Sequence, residues 1–90
     1  MRTIWKFPLK ITDHQSIKMP QGPRLLTVQI QDGVPMLWAM VDTNTGITWD
    51  IEIRIYGTGN PGPNEAENYI ATFQQDGLVW HVFTTHINRQ

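Results

Sequence analysis

The sequence predicts an all-β domain, and three observations carry that expectation. Apolar and polar residues alternate with a period of two along Thr48–Tyr56. Two Asp-Gly pairs, Asp32-Gly33 and Asp76-Gly77, each separate two strand-like runs. Turn residues also recur at short spacing along the whole chain. Strands arranged this way indicate one small, mostly antiparallel sandwich or barrel of six to seven strands, with at most one short helical turn.

The elements follow in order. Thr3–Leu9 alternates, with Trp5, Phe7 and Leu9 on one face and Lys6 on the other; Pro8 lacks an N–H, which marks an edge or bent strand. Gln15–Met19 is a weak strand closed by Pro20-Gln21-Gly22-Pro23. Arg24–Gln31 sets Leu26, Val28 and Ile30 on one face. Asp32-Gly33 then signals a type I′ hairpin. Val34–Asp42 is apolar on both faces, Val34, Met36, Trp38 and Met40 against Leu37, Ala39 and Val41. It is therefore either covered twice within the chain or covered once by another subunit. Thr48–Tyr56 follows the loop at Asp42–Gly46, and Tyr69–Gln74 and Leu78–Thr85 form the last hairpin. A rival pattern makes Glu65–Gln75 a helix, with Asn64 as N-cap and Glu67 as its capping-box partner. The Asp76-Gly77 signal favours the strand, preceded by a single turn near Glu65.

Composition narrows the functional classes. Ninety residues make a single domain spanning residues 1–90, with a thin core. Four tryptophans enlarge that core, and Trp5, Trp38 and Trp49 are assigned to it. Seven basic and eight acidic residues give a net charge of −1, without the basic stripe that duplex binding uses. Cysteine is absent, so thiolate metal sites and disulfides are excluded. No apolar run is long enough to span a membrane, and Met1–Pro8 is not a signal peptide, so a cytoplasmic protein is expected. Small size and the two-sided strand favour a homo-oligomer, a dimer or higher.

Catalysis has little support. The only serine, Ser16, lacks a nucleophile-elbow context. His81 and His86 are an odd number apart, so one straight strand sends them to opposite faces. Asp50 and Glu52 share a face, but Arg54 follows on that face, and a solvated charge ladder explains all three. Binding has more. Strand parity sends Arg54 and Tyr56 out opposite Trp49, Ile51, Ile53 and Ile55, straight into Gly57-Thr58-Gly59-Asn60. A guanidinium grips phosphate and an aromatic ring stacks a base. Backbone N–H groups of such a loop can accept an anion, although Gly57 and Gly59 also satisfy plain turn geometry. The candidate ligand-binding residues are thus Arg54, Tyr56, Gly57, Thr58, Gly59 and Asn60, with His81 as an added contact. No enzyme, cofactor or metal is expected.

Five segments carry a resemblance: Met1–Leu9, Met19-Pro20, Leu37–Ala39 with Val41-Asp42, Arg54–Pro61 and Val79–Phe83. Together they resemble a family of short β proteins encoded by phages and prophages, across nearly the whole chain. The resemblance implies a small viral accessory protein acting inside a bacterium. It supports a sponge that sequesters a nucleotide-derived immune signal, a cyclic dinucleotide or an ADP-ribose derivative. The alternative is a protein–protein interaction module using the exposed face of Val34–Asp42. Single-stranded nucleic acid is disfavoured by the near-neutral charge.

Overall fold

The structure, a computed structural model, describes residues 1–88. Its elements are β1 (Arg2–Pro8), β2 (His14–Pro20), β3 (Arg24–Gln31), β4 (Val34–Asp42), β5 (Thr48–Gly57), β6 (Asn68–Gln75) and β7 (Leu78–Thr84). Every pairing is antiparallel, in two sheets ordered β1-β4-β3 and β2-β5-β7-β6. The fold is an all-β sandwich, as the alternation predicts. No helix of the described residues is long and apolar enough to cross a membrane.

The core lies between the sheets and follows strand parity. Leu37, Ala39 and Val41 of β4 face inward, as do Ile51, Ile53 and Ile55 of β5, joined by Met19, Phe73 and Val82. Each fully buried aliphatic side chain of this size contributes about 1.5–3 kcal/mol. Thr84 is polar and buried at the edge of this core, and its hydroxyl donates to the Glu52 carbonyl at 2.7 Å. Asn88 mimics a neighbouring strand: its side-chain amide bonds both the N–H and the carbonyl of Leu25.

Both predicted hairpins form with the expected backbone. Asp32 and Gly33 have φ of 51° and 78°, and Asp76 and Gly77 have φ of 54° and 77°, as a type I′ turn requires. A Cβ at Gly33 would meet nothing within 4 Å. Gly33→Ala is therefore expected to cost about 1–2 kcal/mol from left-handed backbone alone. Urea denaturation checks this, and an unchanged midpoint would mean that the turn relaxes freely. The two turns share one end of the sandwich, where Gln75 Nε2 donates to the Gly33 carbonyl at 2.6 Å.

Two expectations need correction. In β3, Leu25 and Val28 are buried while Leu26 is exposed, because the register shifts between Leu25 and Thr27. That bulge moves Leu26 off the face it would share with Val28. The tryptophans assigned to the core are not enclosed in it. Trp5 and Trp49 are 44% and 41% exposed although their parity is inward. Trp5 lies on the edge strand β1, and Trp49 lies beyond the end of β7, edge-on to His86. Trp38 is half-buried on the outer face, because Leu37, Ala39 and Val41 take the inner one. Among the described residues, β4 is covered on one face only.

The Asn64–Glu67 pattern has a mixed outcome. Its capping-box bonds form, with the Asn64 N–H donating to Glu67 Oε2 at 3.0 Å and the Ala66 N–H to Asn64 Oδ1 at 2.9 Å. The chain nevertheless leaves after one turn and enters β6 at Asn68. Pairing with β7 outweighs the helix, whose first turn alone is costly to nucleate.

Candidate functional site

The outer face of the four-stranded sheet gathers most of the residues singled out by parity. Register places Tyr56 opposite His81 and Arg54 opposite Phe83. Thr72 and Tyr69 of β6 lie opposite the same two β7 residues, His81 and Phe83. The Phe83 ring is flanked edge-on by Tyr56 at 5.8 Å and Tyr69 at 5.6 Å. Alternation puts Arg54 and Tyr56 on one face of β5, and the antiparallel pairing with β7 brings His81 beside them.

Most of these groups are engaged within the fold. The Tyr56 hydroxyl donates to Glu67 Oε1 at 2.5 Å, and Arg54 Nε lies 3.8 Å from the same oxygen. The Glu67 side chain is only 4% exposed, whereas that of Arg54 is 45% exposed. Desolvation pushes the Glu67 carboxyl up, but the Tyr56 hydroxyl, the Asn64 N–H and the Arg54 charge outweigh it. The net result is a carboxyl below its ordinary value. Burial pushes the Tyr56 phenol up, and the Glu67 carboxylate adds to that shift. The His81 ring nitrogens meet the hydroxyls of Thr58 at 2.7 Å and Thr72 at 3.1 Å.

The glycine loop is a turn stitched to β7. The Asn60 N–H donates to the Gly57 carbonyl at 3.1 Å, with Gly59 at φ 87°. The Thr58 N–H donates to the Val79 carbonyl at 3.2 Å. A Cβ at Gly57 would lie 2.9 Å from Asn60 Nδ2 and 3.4 Å from the Trp80 ring, so a side chain there would displace the end of the Asn60 side chain. Asp50 and Glu52 do not form a ladder with Arg54. They pair across to β2 instead, Asp50 with Lys18 at 2.9 Å and Glu52 with His14. No group of three or more metal-ligating side chains gathers among the described residues.

Beside this network lies a cleft of about 540 Å³ between the β1–β2 loop and the end of β5. Ile11, Asp13, Arg54, Tyr56, Gly57, Asn60, Pro61 and Trp80 line it. Its volume falls in the range of small-molecule sites. Sequence reasoning missed its far wall, Ile11–Asp13, because that loop is distant in sequence from β5, which it meets through the bond from the Ile55 N–H to the Asp13 carbonyl. Trp80 was also missed, and its indole N–H is the buried side-chain donor among the described residues that has no acceptor. Glu67 was legible only as a capping residue.

A family model matches residues 1–90, across the whole chain. The chain belongs to the family described as a domain of unknown function (DUF7352). No curated protein and no solved structure matches it. The chemistry of the DUF7352 cleft is therefore read from its own residues: an exposed guanidinium beside two aromatic rings, an amide and an apolar rim.

Proposed function

We propose that this chain is a non-enzymatic binding protein that sequesters a small anionic, nucleotide-like ligand in the cleft beside Arg54. The observation that carries the reading is the half-exposed Arg54 guanidinium at the mouth of a cleft lined by Tyr56 and Trp80. Phosphate asks for such a cation, and a base asks for such rings. Asn60 adds a polar contact, while Gly57 keeps the wall low enough for it. Thr58 and Gly59 shape the turn that carries Asn60. His81 acts through Thr58, holding that turn in place. The resemblance to phage and prophage proteins supports the narrower reading, an anti-defence sponge for a cyclic dinucleotide or an ADP-ribose derivative.

A thermal-shift screen against such nucleotides tests this. A ligand at 100 times its dissociation constant adds about 2.7 kcal/mol to stability. Arg54→Ala is expected to weaken binding roughly ten- to a hundred-fold, the worth of one charge-assisted bond. Tyr56→Phe keeps the ring and is expected to retain affinity. Calorimetry decides: no ligand in the screen, or equal affinity in Arg54→Ala, removes the proposal.

A further inference from the structure

The two outer faces of the sandwich treat their charges in opposite ways. On the four-stranded sheet, His14, Lys18 and Arg54 each pair with a carboxylate: Glu52, Asp50 and Glu67. On the three-stranded sheet, none of Arg2, Lys6 and Arg24 forms an ion pair with a carboxylate among the described residues. Its three strands contain a single acid, Asp42, which stands opposite Arg2 in the register and bonds the Asn44 N–H and the Met1 amine. A net charge of −1 thus averages over one face whose cations are paired with carboxylates and one face whose cations are not.

The cationic face is also apolar. Met36, Trp38 and Met40 form a row along β4, and register puts Ile4 beside Met40 and Lys6 beside Trp38. Ile4 is 54% exposed. Lys6 Nζ lies 5.8 Å from the Trp38 ring centre, and Arg2 Nη2 lies 2.8 Å from Met40 Sδ. No third layer covers this sheet among the described residues. Tryptophan, methionine and arginine are the residues enriched where proteins meet.

We propose that this face docks an acidic, amphipathic segment of another protein, anchored on Trp38 and paired with Arg2, Lys6 and Arg24. Charge and area select that occupant. A second copy of this chain, set face to face, would bring its own three cations toward these. Three strands about 4.8 Å apart and seven or so residues long offer a footprint of roughly 350 Å². A stable dimer needs about 800 Å² from each partner. A single segment fits the smaller area, and its carboxylates would find cations that form no ion pair with a carboxylate among the described residues, Lys6 giving up only the Gln31 amide oxygen at 2.6 Å. The inference does not depend on the cleft, which lies on the other sheet.

The full chain, labelled with nitrogen-15, tests it by amide shift mapping with synthetic peptides. The probe is a sixteen-residue peptide of glutamate and leucine; its controls are a lysine and leucine peptide, a thymidine oligonucleotide and phosphatidylglycerol vesicles. The acidic peptide should shift amides of β1, β3 and β4, and bind about tenfold more weakly at high salt, as screened charges require. Trp38→Ala and Lys6→Glu should each weaken it about tenfold or more while the fold persists, read from dispersed amide signals. A lysine peptide that binds as well, or no shift on this face with the acidic one, overturns the proposal. So does tighter binding to the oligonucleotide or the vesicles. Light scattering that finds a dimer, dispersed by Trp38→Glu, would assign the face to a second copy instead.

Discussion

Glu67→Ala is expected to lower stability by about 2–3 kcal/mol and the melting temperature by roughly 10–20 °C. The substitution removes the acceptor for the Tyr56 hydroxyl and for the Asn64 N–H, and it takes away the partner of Arg54. Because the Glu67 side chain is covered, water cannot easily replace those bonds. The same network sets a pH window. Glu67 titrates below its ordinary 4.5 in the folded state, so its contribution is complete above about 4.5 and is lost as pH falls through the lowered value. Tyr56 titrates above its ordinary 10.0, so its contribution is complete below that value and is lost as pH rises through the raised one. Glu67→Gln should flatten the acid limb and Tyr56→Phe the alkaline limb. Calorimetric melts from pH 3 to 11 read both, and a Glu67→Ala protein melting within a degree or two of the parent would refute the network.

Leu37→Ala is expected to cost about 2–5 kcal/mol, close to the whole stability of so small a domain. Leu37 is fully buried at the centre of β4, with Phe7 and Val28 opposite it on the two flanking strands. Its neighbour supplies the contrast. Trp38→Ala removes a larger side chain from the same strand, yet it should cost only about 1 kcal/mol, because that ring lies on the uncovered face. Guanidinium melts of the two variants measure the difference. Equal losses would mean that the outer face is packed in solution by something that the single chain lacks.

Local rules made much of the fold legible. The I′ turns at Asp32-Gly33 and Asp76-Gly77 depend on two residues each, and the inward faces of β4 and β5 depend on simple alternation. Bulges are another matter: nothing in Leu25-Leu26-Thr27 announces that Leu26 leaves the ladder, and one slipped residue reverses the face of those around it. Nor does parity say how far a neighbouring sheet extends, which is why Trp5 and Trp49 point inward and still meet solvent. The candidate site divides on the same line. Arg54, Tyr56 and His81 came from strand period, but Glu67 reaches Tyr56 across a loop, and Ile11–Asp13 reaches the cleft from the other end of the chain. Those contacts follow from strand order, which no short stretch encodes. Net charge is silent on this arrangement as well, since it averages over faces that pairing keeps apart.

The placement of β1 and β2 has a consequence for how the molecule comes undone. Each is the edge strand of a different sheet, and residues 9–13 join them, so the first twenty residues form one continuous side of the sandwich. This side is held by pairings with β4 and β5, distant in sequence, whereas the hairpins β3–β4 and β6–β7 are held by their own turns. Peeling it away leaves both hairpins intact, so it can open as a unit at less than the free energy of global unfolding. Ile11 and Asp13 travel with it, and they are one wall of the cleft. The cleft therefore lasts only as long as this flap stays closed, and a ligand seated there would act as its latch.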